Sequence, residues 1–300
     1  MFSFPDKSQK HKNTIKKFLS RTIEDGGFRG AVVGLSGGLD SAVTAALLKD
    51  ILPPKCLELV FLPERDTSPR SQEDAELMAD FLGLPLHSLD LEPALKALQV
   101  YQNPAARVIK KGGLNRLLYQ LTALAERGDP FQRGQSSQRG SAVSTATSYY
   151  RSKHRLRMTY LFYRAEMKSF ALVGCLNRSE YLTGLYVRYG DDAGHIQPLL
   201  PLYKTEVYHL GHNLQLPVPI LEKAPTPDLL PGLDDQFILG LSYDQLDRIL
   251  LGLEEGCSPE KISQKTGIEE KKVTHCRALF QKAQSLPRVN FPSKIRPLPF

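Results

Sequence analysis

Apolar positions recur every three or four residues between 11 and 28. Ile15, Phe18, Leu19 and Ile23 share one face and lysines take the other, which predicts an amphipathic helix. The pattern then changes. Residues 31–35 form an unbroken apolar run of strand length, and 41–50 return to a helix-forming composition. Residues 57–62 and 84–89 predict two more short strands, with a helix over 72–82 between them that stops at Gly83. Strands of buried type alternating with helices predict an α/β fold, a parallel sheet with helices on both faces. Ligands in such sheets lie beyond the carboxyl ends of the strands, so residues 36–41 fall where a site is expected.

Beyond residue 110 the alternation breaks. Residues 114–126 have helical composition. Residues 128–149, rich in Gly, Gln, Ser and Thr, are poor in apolar side chains and predict a loop. The stretch 110–150 therefore reads as a flexible insertion in a single domain spanning 1–300. A lid is the alternative reading, since long loops beside active sites often close over them. A helix is predicted to open at residues 155–158, a strand at 170–174, and another helix near Asn177. A polar turn at 189–192 and helices over 204–214 and 242–252 follow. Residues 258–282 pair a short helix with a basic one. Two small helices packed on the main domain as a C-terminal extension are favoured over a helix-turn-helix that would bind nucleic acid. The proline-rich tail from 287 predicts extended chain.

Composition narrows this picture only modestly. Three hundred residues with 41% hydrophobic content suffice for one large α/β domain. No apolar run reaches membrane-spanning length, and residues 1–17 are too polar and basic for a secretory signal. Cys56, Cys175, Cys257 and Cys276 show no Cys-x-x-Cys spacing, so they predict reduced thiols in a cytoplasmic protein, without a zinc site. The net charge of +7 suits anionic ligands such as nucleotides and is equally compatible with loose nucleic-acid affinity.

The candidate chemistry starts where the first strand ends. Residues Gly34, Leu35, Ser36, Gly37, Gly38, Leu39, Asp40 and Ser41 run from that strand into the next helix. Glycines let backbone N–H groups approach a phosphate, and the opening helix presents its positive end to the same anion. The serines add hydroxyl donors, and Asp40 can hold a hard cation such as Mg²⁺. The loop reads as a cradle for the pyrophosphate of ATP. It lacks the lysine of a Walker loop. It resembles the PP-loop of the ATP pyrophosphatase superfamily (the adenine nucleotide alpha hydrolase-like fold), whose members adenylate a substrate and release pyrophosphate.

The second half sharpens this. Asn177-Arg178-Ser179-Glu180, Gly184, Tyr189-Gly190-Asp191, Pro198-Leu199, Leu202-Tyr203-Lys204, Pro225-Thr226-Pro227-Asp228-Leu229 and Leu239-Gly240-Leu241-Ser242-Tyr243 together resemble the NAD synthetase family, over roughly 12–110 and 151–290. That resemblance implies a two-step, Mg²⁺-dependent reaction. The carboxylate of deamido-NAD attacks the α-phosphate of ATP, and ammonia then displaces AMP to leave NAD. It implies Asp40 and Glu180 as Mg²⁺ ligands and catalytic groups, with Lys204 as a third catalytic residue. Lys204 and Thr226 match positions that grip ATP phosphates, and Cys175 falls at an ATP-contact position. Arg155, Arg188, Asp191 and His195 match the deamido-NAD side, and Arg157 could serve in place of Arg155.

Several positions depart from the family pattern. Cys175 stands where a threonine is usual, so a hydroxyl becomes a weaker thiol donor. His195 replaces an acid, Gln236 replaces the glutamate beside Asp235, and Arg288 is the best counterpart of a C-terminal basic pair. These changes keep open a different PP-loop enzyme, one that adenylates another carboxylate or a tRNA base. A nitrilase-like glutaminase domain does not fit in this length, so free ammonia, or ammonia from a separate protein, is the expected nitrogen source. The resemblance also implies a homodimer.

Overall fold

The structure, a computed structural model, describes residues 2–103, 142–223 and 240–283. Helix α1, Ser8–Asp25, leads into strand β1, Ala31–Gly34, and helix α2, Leu39–Lys49. Strand β2, Leu57–Phe61, helix α3, Pro69–Leu82, strand β3, Leu86–Ser88, and helix α4, Glu92–Ala97, follow. Next come helix α5, Ala142–Lys168, strand β4, Ala171–Val173, and helices α6, Arg178–Thr183, α7, Lys204–Asn213, and α8, Val218–Leu221. Three helices complete the described chain: α9, Tyr243–Glu254, α10, Pro259–Thr266, and α11, Glu270–Ala283.

The four strands form a parallel sheet in the order β3-β2-β1-β4. The chain builds outward from β1 through β2 to β3, then returns to place β4 on the other side of β1. That reversal opens a crevice beyond the carboxyl ends of β1 and β4. Strand residues alternate between two buried faces, as a pleat requires. Ala31, Val33, Leu59 and Val173 pack in the core cluster shared with α1, α2, α3 and α7. Val32, Val60 and Leu172 face Leu161 and Ala165 of α5. Glu58, buried within β2, is matched from α5 by Arg164, which donates twice to Oε1 at 2.6 and 2.8 Å, and by Lys168 at 2.6 Å.

Helix α5 corrects one expectation. It begins at Ala142, so residues 142–149 of the expected loop are helical. Its early residues carry little apolar periodicity, but Thr147, Tyr149 and Tyr150 are buried. Tertiary contact, more than propensity, makes this segment a helix. Helix α1 starts at Ser8 and ends at Asp25, ahead of the Gly26-Gly27 pair, three residues short of the expected end. The small helices α10 and α11 bury Ile262, Val273, Cys276 and Leu279 in a cluster with Leu182, Leu246 and Ile249 of α6 and α9. The expected helix over 114–126 and the tail from 287 lie outside the described residues.

Candidate functional site

The loop after β1 is held by its own serines. The Ser41 hydroxyl donates to Gly38 O at 2.9 Å and its oxygen accepts Ser36 N–H at 3.2 Å. Ser36 Oγ accepts Gly38 N–H at 3.3 Å. Gly37 has φ +74°, and a Cβ there would lie 2.5 Å from the Ser71 carbonyl, so only glycine fits without a shift. Lys223 clamps the loop from outside, donating to Gly37 O at 3.0 Å and pairing with Asp74 at 2.8 Å. With Gly38 as N-cap, the unpaired N–H groups of the first turn of α2 open at the crevice.

Asp40, in that first turn, is where distant parts of the chain meet. Asn177 Nδ2 donates to Asp40 Oδ1 at 3.0 Å, and Lys204 Nζ pairs with Asp40 Oδ2. Asn177 is also the N-cap of α6. Its Oδ1 accepts Glu180 N–H at 3.0 Å, and its own N–H donates to Glu180 Oε2 at 3.2 Å. One buried asparagine thus ties both carboxylates together. Lys204 opens α7 and is almost wholly buried, with its N–H donating to Ser179 Oγ at 2.9 Å. Beneath it, Asp247 accepts the Thr205 N–H at 2.8 Å and the Thr205 hydroxyl at 2.7 Å. Burial pushes the Asp247 carboxyl up to about 6 despite those donors.

A cavity of about 300 Å³ occupies the crevice. Gly34, Leu35, Ser36, Gly38, Leu39, Asp40, Ser41, Cys175, Glu180, Lys204 and Lys223 line it on the phosphate-loop side. His154, Arg157, Met158 and Leu161 line it from α5, and Tyr186, Val187 and Asp191 line the turn beside α6. Positions 154, 157, 158 and 161 form one helical stripe, which explains why Arg157 and not Arg155 reaches the cavity. Arg157 Nε donates to Leu62 O at 3.1 Å. Arg155 is exposed, with Nε donating to Arg188 O at 3.2 Å, and the Arg188 guanidinium stands 5.1 Å from the Tyr189 ring centroid. These two arginines neighbour each other outside the cavity wall.

Cys175 lines the cavity next to the two carboxylates. Burial pushes its thiol up to about 12, against an opposing pull from Thr44, and Asp40, Glu180 and Asp191 raise it further. It therefore stays a neutral thiol, a weak donor and no nucleophile. His195 is outside the cavity lining. Its Nδ1 accepts Leu172 N–H at 2.8 Å and its ring packs on Phe28 and Phe162, so it fastens the segment after β4 to the sheet. Burial lowers its pKa, in keeping with an imidazole that accepts at Nδ1. Gln197 is fully buried. Its Oε1 accepts Leu176 N–H at 3.1 Å and its Nε2 donates to Asp191 O at 2.9 Å. A Cβ on Gly174 would come within 2.3 Å of that amide. Thr226, Asp235, Gln236 and Arg288 lie outside the described residues.

Sequence reasoning passed over Lys223, His154 and Gln197. Helical phase was the signal that could have found His154, through its register with Arg157 and Leu161. Lys223 and Gln197 stand in irregular segments that carry no such periodicity.

A family model described as NAD synthase matches residues 11–121 and 131–286. An NH(3)-dependent NAD(+) synthetase from Thermotoga maritima is 39% identical over 250 residues, 81% of this chain and 87% of the relative. A protein of the same description from Methanosarcina acetivorans is 32% identical over 87% of this chain and 88% of its own length. Among solved structures, an NMN synthetase from Francisella tularensis superposes with TM-score 0.69 at 23% identity, covering 96% of this chain and 99% of the other. An NH3-dependent NAD synthetase from Campylobacter jejuni gives 0.65 at 23%, covering 94% and 98%. At that identity the two structures speak to the fold, the same arrangement of sheet and helices.

Proposed function

Since this chain belongs to the NAD synthase family, we propose that the cavity beyond β1 and β4 is where ATP and deamido-NAD meet. The enzyme is an ammonia-dependent ligase that converts deamido-NAD to NAD with ATP as co-substrate. The deamido-NAD carboxylate attacks the α-phosphate of ATP and releases pyrophosphate. Ammonia then displaces AMP from the acyl-adenylate. Several phosphates must be brought together against their repulsion, so the site needs donors and cations more than it needs a protein nucleophile.

In this reading the 34–41 loop and the first turn of α2 cradle the ATP phosphates, and Lys204 neutralises them. Cys175 takes an ATP contact, and Thr226, outside the described residues, is assigned to the ATP phosphates by the family resemblance alone. Arg157 and Asp191 take the dinucleotide side within the cavity, Arg155 and Arg188 the same side from just outside its wall, whereas His195 acts from behind through β4. Asp40 and Glu180 offer oxygen donors only, and among the described residues no three His, Cys, Asp or Glu side chains gather into a metal cage. That donor set fits Mg²⁺, which takes one or two carboxylates and fills its shell with phosphate oxygens and water. When bound, the ion supplies charge neutralisation at the phosphates.

The observation that supports this reading best is the convergence on Asp40 of Asn177 and Lys204, which stand 137 and 164 residues away in the chain. Incubation with ATP, Mg²⁺, deamido-NAD and ammonium is expected to yield NAD, AMP and pyrophosphate in equal amounts. Glutamine in place of ammonium is expected to give no NAD. Pyrophosphate appearing only with a different carboxylate would overturn the assignment.

A homodimer in the cytoplasm completes the proposal. Tyr163 and Met167, one turn apart on α5, are 53% and 68% exposed, a large apolar pair suited to burial against a second copy. Light scattering is expected to give twice the 33.5 kDa chain mass, and a monomer at micromolar concentration would sink this part. No described helix is long and apolar enough to cross a membrane.

A further inference from the structure

His154 has no part in the roles assigned above, and its two ring nitrogens have unlike surroundings. Nδ1 lies 2.6 Å from Asp191 Oδ1. Nε2 is buried and meets no hydrogen-bond partner among the described residues, although the side chain lines the cavity. Asp191 is itself fixed, since its Oδ2 accepts Val187 N–H at 2.8 Å and its main-chain carbonyl accepts Gln197 Nε2. Burial pushes the Asp191 carboxyl up, but His154 and the Val187 N–H outweigh it and hold it below the usual carboxylate range. An ionised Asp191 takes the protonated Nδ1, which leaves the lone pair on Nε2. A buried nitrogen without a partner is costly unless a ligand satisfies it. His154 and Asp191 line the same cavity as Asp40, Cys175, Glu180 and Lys204, so this pair shares its space with the phosphate-binding groups proposed above.

We propose that His154 is the base of the amidation step, its Nε2 taking the proton released as ammonia attacks the acyl-adenylate. This rests on the reading of the cavity given above. The ammonia lone pair forms the C–N bond to the acyl carbon. The bond from that carbon to the phosphate oxygen of AMP breaks, and its electron pair leaves with AMP. One N–H proton passes to Nε2, the Asp191 carboxylate balances the imidazolium, and the proton later returns to solvent. The pair works as the imidazole and carboxylate of a hydrolase triad do, with the nitrogen of ammonia in place of a serine oxygen. A positioned base of this kind contributes about 10²–10⁴-fold.

Two half-reactions separate this role from the assignment of the site. Pyrophosphate–ATP exchange with deamido-NAD and no ammonia reads adenylation, and NAD formation from ammonium reads amidation. His154→Asn keeps a donor near the position of Nδ1 and deletes Nε2. Exchange by this variant is expected within about threefold of wild type and NAD formation about 10²-fold lower, with added imidazole partly restoring amidation by His154→Ala. NAD formation by His154→Asn at the wild-type rate would overturn the proposal and leave the cavity's reading intact. Parallel loss of exchange and amidation in both variants would make His154 a strut, and overturn it as well. A wild-type enzyme that exchanges no pyrophosphate would defeat the reading of the site, and this role with it.

Discussion

Asp40→Asn is expected to lower NAD formation by at least about 10³-fold, because it removes a negative charge from the point where the phosphate loop, a cation and the proposed Mg²⁺ site meet. The amide keeps the geometry. Its oxygen still accepts from Asn177 Nδ2, the bond that now measures 3.0 Å. What is lost is the charge that pairs with Lys204 and that would ligate a metal. Lys204 is almost wholly buried, so leaving its ammonium without a counter-charge carries a folding cost as well, up to about 3–5 kcal/mol. Steady-state turnover and urea unfolding, measured on one preparation, separate the two effects. A variant that keeps more than about a tenth of wild-type turnover would remove Asp40 from the mechanism.

Lys153→Met has its largest effect on stability. Lys153 is 1% exposed, and its Nζ donates to Glu64 Oε1 at 3.0 Å and to Asp66 Oδ2 at 2.5 Å. It also stands 4.2 Å from the Tyr149 ring centroid. Tyr101 donates to the other Glu64 oxygen at 2.9 Å, and Arg65 donates to Asp66 Oδ1 at 3.0 Å. Burial pushes the Asp66 carboxyl up, but Arg65, Lys153 and Tyr149 outweigh it and bring it down to about 2. Removing the lysine takes away the buried cation shared by both carboxylates and leaves Asp66 with Arg65 as its cation, which costs about 3–5 kcal/mol. The shift is read as a lower urea midpoint at unchanged slope. Adding Glu64→Gln and Asp66→Asn is expected to recover part of it. A loss under about 1 kcal/mol would show that Lys153 contributes no more than an exposed ion pair does. The sign with pH follows from Asp66. Its folded-state pKa is depressed, so its contribution is present above the ordinary carboxylate range and is lost as pH falls toward about 2.

How much of this was legible in the sequence depended on how each residue's role is encoded. Strands β1, β2 and β4 were readable because buried parallel strands are largely continuous apolar runs, and all four expected runs contain an observed strand, although β3 is short and partly exposed. The shape of the loop proposed to cradle phosphate was readable because its hydrogen bonds are local, with Ser36, Gly38 and Ser41 bonding within six residues. The start of α5 was not, since residues 142–149 carry little helical signal in the sequence, and it is Tyr149, bonded to Arg65 and Asp66 of the segment after β2, that ties this part of the helix down. The choice between Arg155 and Arg157 was left open because both are basic and two positions apart. Only the phase of α5 against the sheet separates them. The cluster of Glu64, Asp66 and Lys153 joins residues 87–89 positions apart. Polar groups so distant leave no periodic trace, because their pairing depends on the packing of α5 over the sheet.

The buried amide of Gln197 has a consequence for redesigning this enzyme. It fixes the exit of β4 on one side, at Leu176, and the Asp191 carbonyl on the other, and it fills the space above Gly174. On the proposed reading of the cavity, the wall assigned to ATP is thereby tied to the turn assigned to its co-substrate, and a change that retunes one reaches the other. A side chain at position 174 would meet the Gln197 amide and force it to move, so the two positions are to be varied together in any library.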